Sequence, residues 1–225
     1  MLELQDNYII VNYDGHKSYG GNQRRSADQT IKKCGCGIVA ALDTLLYLGR
    51  RCRWSDVPEL ENLNRDGTIA GELYEERLVA MKKSYFPVLY PLGTNGLALA
   101  FGMNRFFRRR RLPFRAVWHI AGANIWKMIE KMLESDIPVI CAVGTNFPKF
   151  WKKNGLRLQV PDNYGKMHGS ADAKAHFVTV TGMDEEWIQI SSWGRKYYVS
   201  RQDFENYARK NSSPLLCGVL YIEHK

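Results

Sequence analysis

The stretch Cys34-Gly35-Cys36-Gly37-Ile38-Val39-Ala40-Ala41-Leu42-Asp43-Thr44-Leu45-Leu46-Tyr47-Leu48-Gly49 constrains this chain more than any other. Ile38, Ala41, Leu42, Leu45 and Leu48 recur at the spacing of one helical face. Gly49 offers a stop, since a left-handed residue commonly ends a helix. Two glycines alternate with two cysteines upstream, so the predicted helix begins near Cys36 or Gly37. A cysteine there meets unpaired backbone N–H groups and the positive end of the helix dipole. That environment lowers a thiol pKa and favours the thiolate. Cys36, Ala40, Asp43 and Tyr47 share one side of the helix, away from the densest apolar stripe. For an isolated cysteine at a helix start, a buried and inert thiol is the ordinary reading. The rest of the chain shifts that balance.

The length, 225 residues, suits one large domain or two lobes around a shared core. Apolar residues make up 45% and charged residues 24%, the proportions of a globular chain, which excludes disorder as the main state. No apolar run has the length of a membrane span, so no membrane partner is expected. The segment Met1-Leu2-Glu3-Leu4-Gln5-Asp6 has no basic-then-apolar pattern of a secretory signal. Five cysteines cannot all pair, and their spacing shows no disulfide framework, which points to a reducing, cytoplasmic setting. Cys34 and Cys36 lack the second close ligand pair that structural zinc needs, so no metal is expected.

Net charge is +9, concentrated in Arg108-Arg109-Arg110-Arg111 with Arg105 and Arg115 nearby. Phe106, Phe107 and Phe114 interleave with this run, a mixture able to grip phosphates and stack bases. No nucleic-acid recognition motif accompanies it, so a solvated edge with inward aromatics is favoured. An acidic partner at Arg108–Arg111 is the interaction this patch offers, with nucleic acid the less favoured one.

Several elements follow from local pattern. Tyr8–Tyr13 reads as a strand before an Asp14-Gly15 turn, and Gly20 to Ser26 as loop. Helices are predicted from Ala70 or Gly71 to about Lys83, over 95–107, and over Ile125–Leu133 behind the cap Asn124. Arg115–Trp118 is a short strand. Asp136-Ile137-Pro138 breaks the Ile125 helix, and Val139–Val143 forms a buried strand. Residues 146–174 read as a long connection, a candidate wall for a cleft. His176–Gly182 alternates, Met183–Glu186 turns, and Trp187–Gly194 returns as a hairpin. If that loop is even in length, His176 and Ser191 project from the same face. Lys196–Val199 extends the sheet, Asp203–Lys210 suggests a helix, and Leu215–Glu223 a closing strand.

Three of these stretches together resemble the papain-like cysteine peptidases, and within them the bacterial branch typified by bacteriocin-leader peptidases. Cys36-Gly37-Ile38-Val39-Ala40-Ala41-Leu42 resembles that branch's Cys-Gly-x-x-Ala-Ala start of the nucleophile helix. Ile137-Pro138-Val139-Ile140 resembles its Ile-Pro-Val strand, and His176-Phe177-Val178-Thr179-Val180-Thr181-Gly182 its histidine strand. Ser191-Ser192-Trp193-Gly194 also resembles the Asn-Ser-Trp-Gly of papain. The matches fall in order between about residues 29 and 199. The resemblance implies a single α+β, papain-like domain over 1–225. Its helical lobe, about 29–135, would carry the nucleophile, and an antiparallel sheet lobe, about 136–225, the histidine.

It also implies a thiol hydrolase that cleaves peptide or related amide bonds through an acyl-enzyme, acting on a peptide or protein without metal or organic cofactor. Cys36 would attack and His176 would shuttle the proton; His119 and His168 do not open an alternating strand. Ser191 stands where papain has asparagine, and would orient the ring. Gln29, seven residues before Cys36, is the nearest match to the family's oxyanion glutamine, with Gln23 more distant. Both positions depart from the family pattern. The alternatives are a catalytically inactive binding module with a basic surface, or an acyltransferase or transglutaminase-like enzyme built on the same Cys–His pair.

Overall fold

A computed structural model describes all residues except 55, 62, 92 and 123. The chain is mixed α and β. In order it forms β1 (Leu2–Glu3), β2 (Ile10–Tyr13), β3 (His16–Tyr19), α1 (Gln29–Cys34), α2 (Cys36–Arg51), β4 (Thr68–Ala70), α3 (Gly71–Ser84) and α4 (Gly96–Arg109). Then come β5 (Phe114–Ile120), α5 (Ile125–Glu134), β6 (Val139–Val143), β7 (Leu156–Pro161), β8 (Met167–Ala173), β9 (His176–Met183), β10 (Trp187–Ser192), β11 (Arg195–Ser200), α6 (Arg201–Lys210) and β12 (Gly218–His224). Among the described residues no helix is long and apolar enough to cross a membrane.

The main sheet runs β5-β12-β6-β9-β10-β11-β7-β8, with β1 paired to β9, and every pairing in it is antiparallel. A smaller sheet, β3-β2-β4, holds the N-terminal hairpin, turned at Asp14 and Gly15, both of positive φ. α2 packs on β6 and β9 and against α3 and α4, and one buried cluster joins helices and sheet. β5, expected as a short strand within the helical lobe of about 29–135, is an edge of the main sheet.

α2 is buried on all sides from Gly37 to Gly49. Ile38, Leu42, Leu45, Leu46 and Leu48 are fully enclosed, each contributing roughly 2 kcal/mol of transfer free energy. The expected stop at Gly49 does not occur: the helix continues to Arg51. Gly49 is there for close packing, since a Cβ would come within 2.9 Å of Leu60. The side carrying Asp43 and Tyr47 is polar but buried. Tyr47 Oη donates to Asp136 Oδ1 at 2.5 Å, and Arg51 pairs with Asp136 at 2.9 Å.

Two other expectations change. Residues 146–174 are not one irregular connection, because β7 and β8 form a hairpin inside it. β8 reads Met-His-Gly-Ser-Ala-Asp-Ala, poor in β-branched and aromatic residues, so its pairing leaves little local signal. Asn124 precedes α5 but makes no side-chain cap bond.

The arginine run closes α4 with Phe106, Phe107 and Phe114 turned into the core. Arg108, Arg109 and Arg111 are exposed, whereas Arg110 is half-buried and paired with Glu59. Replacing Arg108, Arg109 and Arg111 together by Ser should change unfolding free energy by less than about 1 kcal/mol. Arg110→Ser should cost about 2 kcal/mol, because the largely buried Glu59 carboxylate loses its cation and keeps the Tyr85 hydroxyl as its side-chain donor. Urea melts of the two variants check this; equal losses would mean that the Glu59 pair adds nothing.

Candidate active site

Cys36 is the first residue of α2 and lines a cleft of about 740 Å³ that His176, Trp193 and Gln23 also line. Gly37 lets the opposite wall approach, since a Cβ there would sit 2.6 Å from Thr94. The backbone N–H groups of Phe177, Gly37 and Cys36 itself act on the sulfur and favour its thiolate. Burial nevertheless outweighs them and pushes the Cys36 thiol up. The sequence-based expectation of a depressed thiol pKa is therefore corrected: Cys36 is half-buried at the cleft wall, and desolvation there opposes charge more than the helix end favours it.

His176 opens β9 and is buried, opposite Val143 of β6. Its Nε2 lies 2.8 Å from Ser192 Oγ, and its ring stacks on Trp193 at 4.4 Å between centroids. The Arg24 guanidinium also packs on Trp193, 4.5 Å from the ring centre. Desolvation first, and the Arg24 charge second, lower the His176 pKa to about 3. Both shifts favour the uncharged forms, a thiol on Cys36 and a neutral imidazole on His176. Among the described residues, Ser192 is the hydrogen-bond partner of the ring; no such bond joins it to Cys36.

Ser191 does not meet His176. Its Oγ donates to the Tyr19 carbonyl at 2.8 Å. The reason is a β-bulge. Ile188 pairs with Met183 and Gln189 with Gly182, but Ile190 pairs with Val180, so Thr181 is an extra residue in β9. Ser191 then faces Thr179, and the facing pattern on β10 is inverted relative to His176. An even loop alone would have put Ser191 beside the histidine; the bulge puts Ser192 there. Thr181 is secured by Tyr19 Oη, which donates to its Oγ1 at 2.9 Å, and by Leu4 N–H, which donates to its carbonyl at 3.1 Å. Gly182 beside it was the one sequence sign of such a bulge.

Gln29 does not reach the cleft either. It is exposed at the start of α1, and Gln23 lines the cleft in its place. Gln23 begins a short 3-10 turn, Gln23–Arg25, capped by Asn22. Its Nε2 donates at 3.4 Å to the Lys32 carbonyl. Sequence spacing missed this because α1 lies between the turn and the nucleophile helix, so separation along the chain does not measure distance to Cys36.

Asp43, about two turns along α2, anchors that turn. It accepts from Gly21 N–H at 3.2 and 3.0 Å, from Tyr74 Oη at 2.8 Å and from Tyr8 Oη at 3.4 Å. Gly20, at φ 74°, passes so close that a Cβ would strike Ser191 and Asp43. Burial raises the Asp43 pKa to about 6, against the pull of Gly21, Tyr74 and Tyr8. Cys34, Cys52, Cys141 and Cys217 are also free thiols. His119 and His168 lie on β5 and β8, and neither lines the cleft. No protein-family model matches the chain, and no curated protein matches it in sequence.

Proposed function

We propose that the chain is a papain-like thiol hydrolase that cleaves peptide or related amide bonds through an acyl-enzyme on Cys36. The observation that carries this reading is the meeting, in one cleft, of a helix-start cysteine and a histidine whose ring is held by Ser192 and Trp193. With Nε2–H donating to Ser192 Oγ, Nδ1 is the nitrogen able to take the thiol proton. Because both groups are neutral at rest, His176 acts as general base during attack and returns the proton to the leaving amine. Catalytic hydrogen bonds commonly close only in the substrate complex, which fits the unjoined Cys36 and His176. The backbone N–H at the start of α2 and the Gln23 amide are the groups offered to the oxyanion.

The test is acylation of Cys36 by p-nitrophenyl acetate, followed by intact mass and peptide mapping. Wild type should gain one acetyl group on Cys36, and Cys36→Ala and His176→Ala should not. With a base that stays neutral down to a pKa of about 3, the acylation rate should be flat from about pH 4 to 8. An acid limb near the ordinary histidine value of 6.5 would show that His176 titrates as a solvated ring. The second reading, an inactive binding module of the same fold, is favoured by the uncharged pair and the absent Cys36–His176 bond. Acetylation unaffected by His176→Ala would select it.

A further inference from the structure

We propose that the cleft selects an acidic polypeptide, with Arg24 as the residue that reads a carboxylate beside the bond to be cleaved. This rests on the hydrolase reading above and adds the substrate class. Arg24, Lys32, Lys33 and Lys174 line the cleft, and among the described residues no Asp or Glu does. All four are exposed, and among the described residues none is in an ion pair. Cations so placed, beside apolar, low-dielectric walls such as Trp118 and Leu216, concentrate anions in the cleft.

Lys33 lies over the Tyr90 ring at 5.3 Å, whereas Arg24 differs from the three lysines in lying on the ring that His176 stacks against. Asn22 Oδ1 accepts from Arg24 N–H at 3.1 Å, and the guanidinium rests on the same indole that supports His176. A planar cation fixed in that way offers two parallel N–H groups to a carboxylate. Arg24 and Trp193 also line a second recess of about 500 Å³, shared with Arg195 and with Asp172, whose carboxylate is paired with Arg157. The charge of Arg24 weakens His176 as a base. A substrate carboxylate on Arg24 offsets that charge, so the right substrate also strengthens the base. A polypeptide is favoured over a nucleic acid because the cleft lies on the pair whose chemistry acts on an acyl carbon.

Alkylation of Cys36 separates the two layers of the argument. Its rate with neutral iodoacetamide, and the loss of that rate in His176→Ala, reports on the Cys–His pair. The ratio of iodoacetate to iodoacetamide rates at Cys36, followed by peptide mapping at fixed pH, reports on charge selection alone. The ratio should fall about fivefold in Arg24→Gln, fall further in Arg24→Glu, and be largely retained in Arg24→Lys. It should also fall as salt is raised. A Glu-rich octapeptide should protect Cys36 from iodoacetamide, and a Lys-rich one should not. An unchanged ratio in Arg24→Glu would overturn the role of Arg24. Equal protection by both peptides, or stronger protection by a single-stranded oligonucleotide, would overturn the acidic polypeptide as substrate.

Discussion

Ser192→Ala should slow turnover by about tenfold, the loss of one hydrogen bond worth ~1.4 kcal/mol, while Ser191→Ala should leave the chemical step unchanged. The two serines are neighbours in sequence and differ in partner. Ser192 Oγ lies 2.8 Å from His176 Nε2, and Ser191 Oγ is committed to the Tyr19 carbonyl. Without Ser192 the ring loses the contact that sets Nε2–H as donor and Nδ1 as acceptor, the orienting role of the third member of a triad. Without Ser191 the end of β3 loses one tether, which should lower stability by about 1 kcal/mol. Ser192→Asp should stabilise the imidazolium and move the acid limb of Cys36 acylation upward. The comparison is made on p-nitrophenyl acetate with urea melts beside it. A larger kinetic effect from Ser191→Ala than from Ser192→Ala would return the orienting role to Ser191.

Asp43→Ala should cost about 3 kcal/mol of stability and loosen the turn that carries Gln23 and Arg24. The substitution leaves Gly21 N–H, Tyr74 Oη and Tyr8 Oη without their shared acceptor in a buried place. The pH dependence has a definite sign. Asp43 has its folded pKa raised from 3.8 to about 6, so the folded state binds this proton more tightly than the unfolded state does. The protonated form's contribution is complete below about pH 4 and is lost as pH rises through about 6, a change of about 3 kcal/mol. Asp43→Asn cannot ionise, so its stability relative to wild type should rise across that window. Urea melts from pH 4 to 7 measure the difference. A difference that stays constant with pH would show that Asp43 titrates alike in both states.

Much of the candidate site was legible because it is local. The apolar spacing after Cys36 predicts α2 and its start without reference to any other element, and alternation after His176 predicts β9. Nucleophile and base candidates therefore followed from residue type at an element's first position, and both line the cleft. The inward turn of Phe106 and Phe107 was legible for the same reason, since aromatics among arginines separate by side on a helix end, and Phe114 turns inward from the first position of β5.

What tertiary structure decided is whatever depends on register, on chain path or on enclosure. One extra residue at Thr181 inverts the facing pattern of β10, so Ser192 instead of Ser191 meets His176. Side chains in a strand repeat every two residues, and no composition rule counts a bulge. The path through α1 brings Gln23 to the cleft and leaves Gln29 in solvent. Enclosure sets the protonation states: the helix start and its N–H groups favour a thiolate, but burial acts more strongly on Cys36 and on His176. Sequence by itself determined which residues stand at the ends of α2 and β9. Only the fold decided what each of them touches, because desolvation and side-chain partners arise between elements distant in the chain.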